Sequence, residues 1–97
     1  MATYIILTNW TQKGIENVKD SPKRLDTAKK VFQAAGSKIK EFYLVTGRYD
    51  MIVVAEAPDA ETVATLALTI GSAGAIRTET LRAFSEEEYR KIVAALA

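Results

Sequence analysis

The chain has 97 residues, 48% hydrophobic and 26% charged, with a formal net charge of +1; this is the size of one domain with an ordinary globular composition. Histidine and cysteine are both absent. That excludes disulfides, thiolate nucleophiles, Cys/His metal sites, haem held by either residue, imidazole acid–base chemistry and the Ser-His-Asp and Cys-His constellations. The near-zero charge lacks the basic footprint of a nucleic-acid or membrane-surface binder. No apolar run reaches the roughly 18 residues that mark a membrane span. Met1-Ala2-Thr3-Tyr4-Ile5 passes straight into a strand pattern without the features of a signal peptide, so cytoplasmic residence is expected.

Tyr4–Thr8 reads as the first strand, apolar on both faces. Asn9 to Gly14 leaves the sheet, and Ile15 and Val18 suggest a short helical turn. Ser21-Pro22 predicts a helix start, with serine at the N-cap and proline at the first helical position, where its missing N–H is harmless. Leu25, Ala28, Val31, Phe32 and Ala35 form that helix's apolar stripe, and Gly36 is its natural stop. Ile39–Thr46 and Met51–Glu56, rich in β-branched and aromatic residues and split by a glycine-bearing turn, predict a β-hairpin. Asp59 fits the N-cap of a second helix with Val63, Leu66, Ala67 and Ile70 on its buried side. Ile76–Phe84 reads as the fourth strand. Ser85 and Glu88 have capping-box spacing ahead of a terminal helix with Tyr89, Ile92, Val93 and Leu96 on one face.

The order βαββαβ plus a terminal helix predicts an α+β, ferredoxin-like domain over residues 1–97, with a four-stranded antiparallel sheet covered by helices on one face. The strands are nevertheless apolar on both faces: Met51, Val53 and Ala55 oppose Ile52 and Val54, and Phe42 and Leu44 oppose Tyr43 and Val45. An uncovered apolar face of that extent predicts an interaction surface, most economically for a second copy, giving a homodimer or higher homo-oligomer. The alternative is that the terminal helix folds over part of it. RNA-recognition domains share the strand order but stack bases on aromatics of the central strands. Met51-Ile52-Val53-Val54 offers none, so nucleic acid is not an expected partner.

The segment Gly47-Arg48-Tyr49-Asp50 resembles the signature of the GYD-domain family, with an arginine between the glycine and the tyrosine. The likeness extends through Tyr4-Ile5-Ile6-Leu7, Asp20-Ser21-Pro22-Lys23-Arg24, Phe42-Tyr43-Leu44, Glu56-Ala57-Pro58-Asp59 and Arg77 to Phe84. The resemblance implies a dimeric α+β barrel, in which ferredoxin-like units pair through their sheets. That wider group includes cofactor-free monooxygenases, lactone isomerases, haem-degrading enzymes and ligand-sensing modules. The family itself carries no established activity across.

Gly47 is expected at positive φ and Asp50 in an Asx role, accepting from turn N–H groups. Tyr49 is expected to pack across the hairpin or an interface. Arg77 and Glu79 share one face of their strand and Arg82 takes the other. Asn9, Tyr43, Tyr49, Asp50, Arg77 and Glu79 are the candidate lining of a small-molecule site, expected in the cleft between helices and sheet. Trp10 reads as a packing anchor, and Lys23, Arg24, Lys29 and Lys30 as a solvated helix face. The leading functional expectation is a small oligomeric ligand-binding or accessory domain. The alternative is a cofactor-independent oxygenase or isomerase acting on a small apolar or quinone-like molecule, using Asp50, Glu79 or a tyrosine for proton transfer. A sensor lacking its DNA-binding partner domain is a third reading. No metal and no cofactor is expected.

Overall fold

The protein is described by a computed structural model covering residues 1–97. Its elements are β1 (Ala2–Trp10), α1 (Gln12–Glu16), a 3-10 turn (Val18–Asp20), α2 (Ser21–Ala34), β2 (Lys38–Leu44), β3 (Met51–Ala57), α3 (Ala60–Gly71), β4 (Ile76–Ala83) and α4 (Glu86–Ala94). The four strands form one antiparallel sheet in the order β2-β3-β1-β4, the ferredoxin-like arrangement. Strand parity decides its two faces. Tyr4, Ile6 and Thr8 of β1 and Met51, Ala55 and Ala57 of β3 are buried beneath the helices. Phe32 of α2 and Leu66 of α3 close on Ile6 and Ala55, and Val63 closes on Tyr4 and Ala57. In β2 an extra residue, Lys40, interrupts the register between Ile39 and Glu41. Ile39 and Phe42 therefore both stay opposite helix-facing partners, Ala55 and Val53.

The first helix differs from expectation at its start. The 3-10 turn runs directly into α2, so Asp20 occupies the N-cap, without a side-chain cap bond, and Ser21 is already helical. The downstream caps match the sequence reading. Asp59 accepts hydrogen bonds from the Thr62 N–H at 2.8 Å and hydroxyl at 2.7 Å. Ser85 and Glu88 form the reciprocal capping box. Strands β2 and β4 stop at Leu44 and Ala83, slightly short of the expected ends.

The loop after β1 returns to the start of β4 and is fastened there. The Thr11 N–H donates to the Ala75 carbonyl at 3.0 Å, and the Thr11 hydroxyl donates to the Gly74 carbonyl. Gly14 sits so close to this strand start that a Cβ on it would lie 1.9 Å from the Ala75 oxygen. Only glycine fits between α1 and that carbonyl.

Helix α4 follows β4 with its apolar stripe uncovered: Tyr89, Ile92, Val93 and Leu96 are all exposed. What holds its base is Arg82, whose guanidinium lies 4.2 Å from the Phe84 ring centroid and pairs with Glu88 at 3.7 Å. The radius of gyration, 14.6 Å, exceeds the roughly 12.5 Å of a compact domain this long. Only 12 of 97 residues are buried, so the isolated chain has a thin core for its length.

Two outcomes follow from this packing. Gly14→Ala lowers stability by about 1–3 kcal/mol through overpacking, read as a reduced urea midpoint. The second concerns acid. The Thr62 backbone N–H, and after it the Thr62 hydroxyl, holds the Asp59 carboxyl below its ordinary range. The Ser85 N–H, with Arg82 behind it, does the same for Glu88. A folded-state pKa below the unfolded one gives stabilisation that is complete above the unfolded pKa and lost as pH falls through the folded one. The thermal midpoint therefore falls on acidification below roughly pH 4. Asp59→Asn, which keeps a capping oxygen but cannot titrate, makes that fall shallower.

Candidate functional site

The sheet face opposite the helices carries the odd-numbered residues of β1 and β4, the even-numbered residues of β3, and Glu41 and Tyr43 of β2. Its rows follow from the register. One runs Tyr43, Ile52, Leu7, Glu79, and the next runs Glu41, Val54, Ile5, Leu81. Ile5, Leu7, Ile52 and Val54 thus make an apolar centre, with Leu81 exposed beside them and polar groups toward both sheet edges. At the β2 edge the Tyr43 hydroxyl donates to the Glu41 carboxylate. That bond, and then the negative charge of Glu41, raises the Tyr43 pKa above the usual phenol value.

The β2–β3 connection closes where the Val45 N–H donates to the Asp50 carbonyl at 2.9 Å. Gly47 has φ +118°, as expected of a backbone that only glycine adopts without strain. Asp50 does more than an Asx turn. Its N–H donates to the Thr8 carbonyl at 3.0 Å, and its Oδ2 accepts the Trp10 N–H at 3.0 Å, 40 residues away in sequence. The carboxylate supplies Trp10 with the acceptor that the β3 ladder no longer provides beyond Met51. Asp50 thereby locks the hairpin turn to the end of the central strand. Tyr49 reaches from the start of β3 past β1 to β4, and its hydroxyl donates to Glu79 Oε1 at 3.1 Å. The Arg48 guanidinium lies 5.9 Å from the centroid of the Tyr49 ring.

The structure does not place the six candidate residues in the cleft between helices and sheet. Asn9 and Arg77 are register partners on the open face, and Glu79 and Tyr43 belong to that face as well. Tyr49 joins them through Glu79, while Asp50 is engaged by β1. Arg77 and Glu79 share a face as expected but form no ion pair: the Glu79 carboxylate is held by Tyr49 instead. The cleft itself exists where it was expected, as a cavity of about 530 Å³ between α2, α3 and the sheet. Its walls include the apolar stripes expected of the two helices, Trp10, read from sequence as a packing anchor, and Thr8 and Thr78, which the sequence reading did not single out. The signal that could have found them is two threonines in apolar strands at positions where packing alone favours valine.

Fold and surface together define a ferredoxin-like α+β domain with one sheet face covered and one bare. The chain belongs to the GYD domain family, whose model matches residues 4–93. It is 36% identical over 84 residues to the glutamine synthetase and cystathionine beta-lyase binding protein of Thermus thermophilus, spanning 86% of this chain and 88% of that relative. Its fold is similar to the feast or famine regulatory protein of Mycobacterium tuberculosis, with a TM-score of 0.67 at 14% identity over 88% of this chain. The chain spans about half of that regulator, 51% of its length. It is also similar to FFRP-DM1, with a TM-score of 0.59 at 25% identity, covering 87% of this chain and 100% of that one.

Removing the clamp tests its role. Asp50→Ala leaves the Trp10 N–H without its charged acceptor and lowers stability by about 1.5–3 kcal/mol. Chemical denaturation measures this, and faster hydrogen exchange at the Trp10 amide locates the loss.

Proposed function

We propose that this chain is a small accessory binding domain that works as a homodimer, with the bare sheet faces of two copies packed together as in a dimeric α+β barrel. The observation that carries the reading is the open face and the surplus surface that goes with it. The chain exposes 6671 Å², whereas a monomeric protein of this size exposes about 5,500 Å². The surplus, roughly 1,200 Å² by that scaling, is shared between the open sheet face and the uncovered stripe of α4, and is of the order that a standard interface takes from each partner, ~800 Å². An apolar centre of Ile5, Leu7, Ile52 and Val54 with polar edges has the anatomy of such an interface. In this reading Asn9, Tyr43, Tyr49, Arg77 and Glu79 frame the contact between copies, and Asp50 shapes the turn beside it. The Tyr43–Glu41 and Tyr49–Glu79 hydrogen bonds favour a role in partner contact over one in catalysis by an oxygenase or isomerase.

The second part of the proposal is a protein client. The relative at 36% identity is named for binding glutamine synthetase and cystathionine beta-lyase, and we infer an enzyme of amino-acid metabolism as the client here. Helix α4, amphipathic and with its apolar stripe exposed, is the element suited to docking in a groove of such an enzyme. A cytoplasmic location accords with that role, and no helix is long and apolar enough to cross a membrane.

Light scattering coupled to size exclusion at micromolar concentration yields a dimer mass for the wild type and a monomer mass for Ile52→Asp. A monomeric wild type would remove the first part of the reading. Calorimetric titration of purified glutamine synthetase and cystathionine beta-lyase tests the second. Binding is lost in Ile92→Glu while the dimer persists.

A further inference from the structure

The cleft between α2, α3 and the sheet lies on the side of the molecule opposite the bare face, and neither the dimer contact nor the docking of α4 uses it. Its volume, about 530 Å³, falls within the range of small-molecule sites. Most of the wall is apolar, with Leu25, Val31, Ile39, Phe42, Val53 and Ile70 contributing.

On the sheet side of the cleft three residues with polar groups interrupt that wall, and the register makes them neighbours. Thr8 and Trp10 lie two residues apart on the helix-facing side of β1, and Thr78 is the direct partner of Thr8 on β4. Thr8 is 3% exposed, and its hydroxyl reaches only the Ile6 carbonyl at 3.5 Å, the outer limit of a hydrogen bond. The Thr78 hydroxyl and the Trp10 indole N–H take part in no hydrogen bond within the chain, where Trp10 is engaged through its backbone N–H alone. Two threonines and a tryptophan at neighbouring register positions therefore line the cavity with side-chain donors that make at most one long hydrogen bond within the chain. Asp20, Lys23 and Arg24, one acid and two bases, also line the cleft, at the start of α2 rather than on the strands that carry the three donors.

We propose that this cleft binds a neutral, hydrocarbon-rich small molecule bearing one carbonyl or hydroxyl oxygen, with that oxygen accepting hydrogen bonds from Thr8, Thr78 and the Trp10 indole and the hydrocarbon body filling the space between α2 and α3. The shape of the wall supplies affinity through apolar burial, and the three donors set orientation. Beside Thr8, Thr78 and Trp10 the wall offers no charged side chain, so an ionised group held there would lose hydration without gaining a partner of opposite sign.

The test uses the neutral ketone dye 6-propionyl-2-dimethylaminonaphthalene, whose emission shifts to the blue in apolar surroundings. Trp10 is the only tryptophan of the chain, so its emission reports on the cleft without labelling. Binding gives a blue-shifted dye signal and loss of Trp10 emission with one common midpoint. The double substitution Thr8→Val and Thr78→Val weakens it about five- to tenfold, the loss expected for one to two neutral hydrogen bonds. Ala28→Phe, which fills the cleft from α2, abolishes it, and Ala67→Leu does the same from α3 should Ala28→Phe fail to give a native circular dichroism spectrum. The proposal is overturned if the wild type does not shift the dye. It is also overturned if a folded, cleft-filled variant binds the dye undiminished, because the dye then sits elsewhere on the surface. Equal affinity for the double valine variant would remove the assigned donors.

Discussion

Strand β1 is the constraint from which the rest follows. It is an interior strand, hydrogen-bonded to β3 on one side and β4 on the other. Its two-residue period therefore propagates across three strands at once. Once Tyr4, Ile6 and Thr8 turn toward the helices, Met51, Val53 and Ala55 of β3 and Thr78 and Thr80 of β4 must turn the same way. Ile5, Leu7, Ile52, Val54 and Leu81 are then committed to the other side. A slip of one residue would exchange the two sets, bringing Ile5 or Leu7 beneath Phe32 and Leu66 in place of Ile6 and carrying the polar Thr3 and Asn9 to the helix side.

The fixed register explains why the ends of β1 carry specific fasteners. Beyond Thr8 the β3 ladder runs out, and Asp50 supplies its backbone N–H and its carboxylate as a substitute edge. Thr11 and Gly14 then hold the departing chain against the Ala75 carbonyl. The family's signature aspartate is, in this chain, a cross-strand acceptor, and its glycine is a turn residue with φ +118°. Both act by positioning backbone. That leaves the open face above them as the surface whose chemistry is free to serve a partner, and the cleft below as the space whose chemistry is free to serve a ligand.

The two surfaces differ in kind. The open face is broad, with an apolar centre and an edge of hydrogen-bonded polar residues, Glu41 with Tyr43 and Tyr49 with Glu79. Such a surface suits another extended surface. The cleft is concave and mostly apolar, with Thr8, Trp10 and Thr78 on its sheet side. Such a space suits a molecule small enough to be enclosed. Occupying one leaves the other accessible, because the sheet separates them.

Much of this was legible in the residues alone. Period two in the strands, period 3.6 in the helices and the oxygens of Asp59, Ser85 and Glu88 at helix starts are local signals, and they fix the element order and the ferredoxin-like fold. Parity also placed Arg77 with Glu79 and opposed Ile52 to Val53. What sequence could not supply was the side of the sheet to which each set belongs, because both sets are apolar and the period is symmetric. That choice is made by Phe32, Val63 and Leu66 closing over one face. It moved the six candidate residues out of the expected cleft and put Thr8, Trp10 and Thr78 into it. Asp50 shows the same limit: an aspartate in a turn signals a local bond, whereas its partner here is 40 residues away. Local propensities are written in neighbouring residues, but side-to-side register and face are decided only when distant segments pack, and that is where tertiary structure chose the surfaces of this protein.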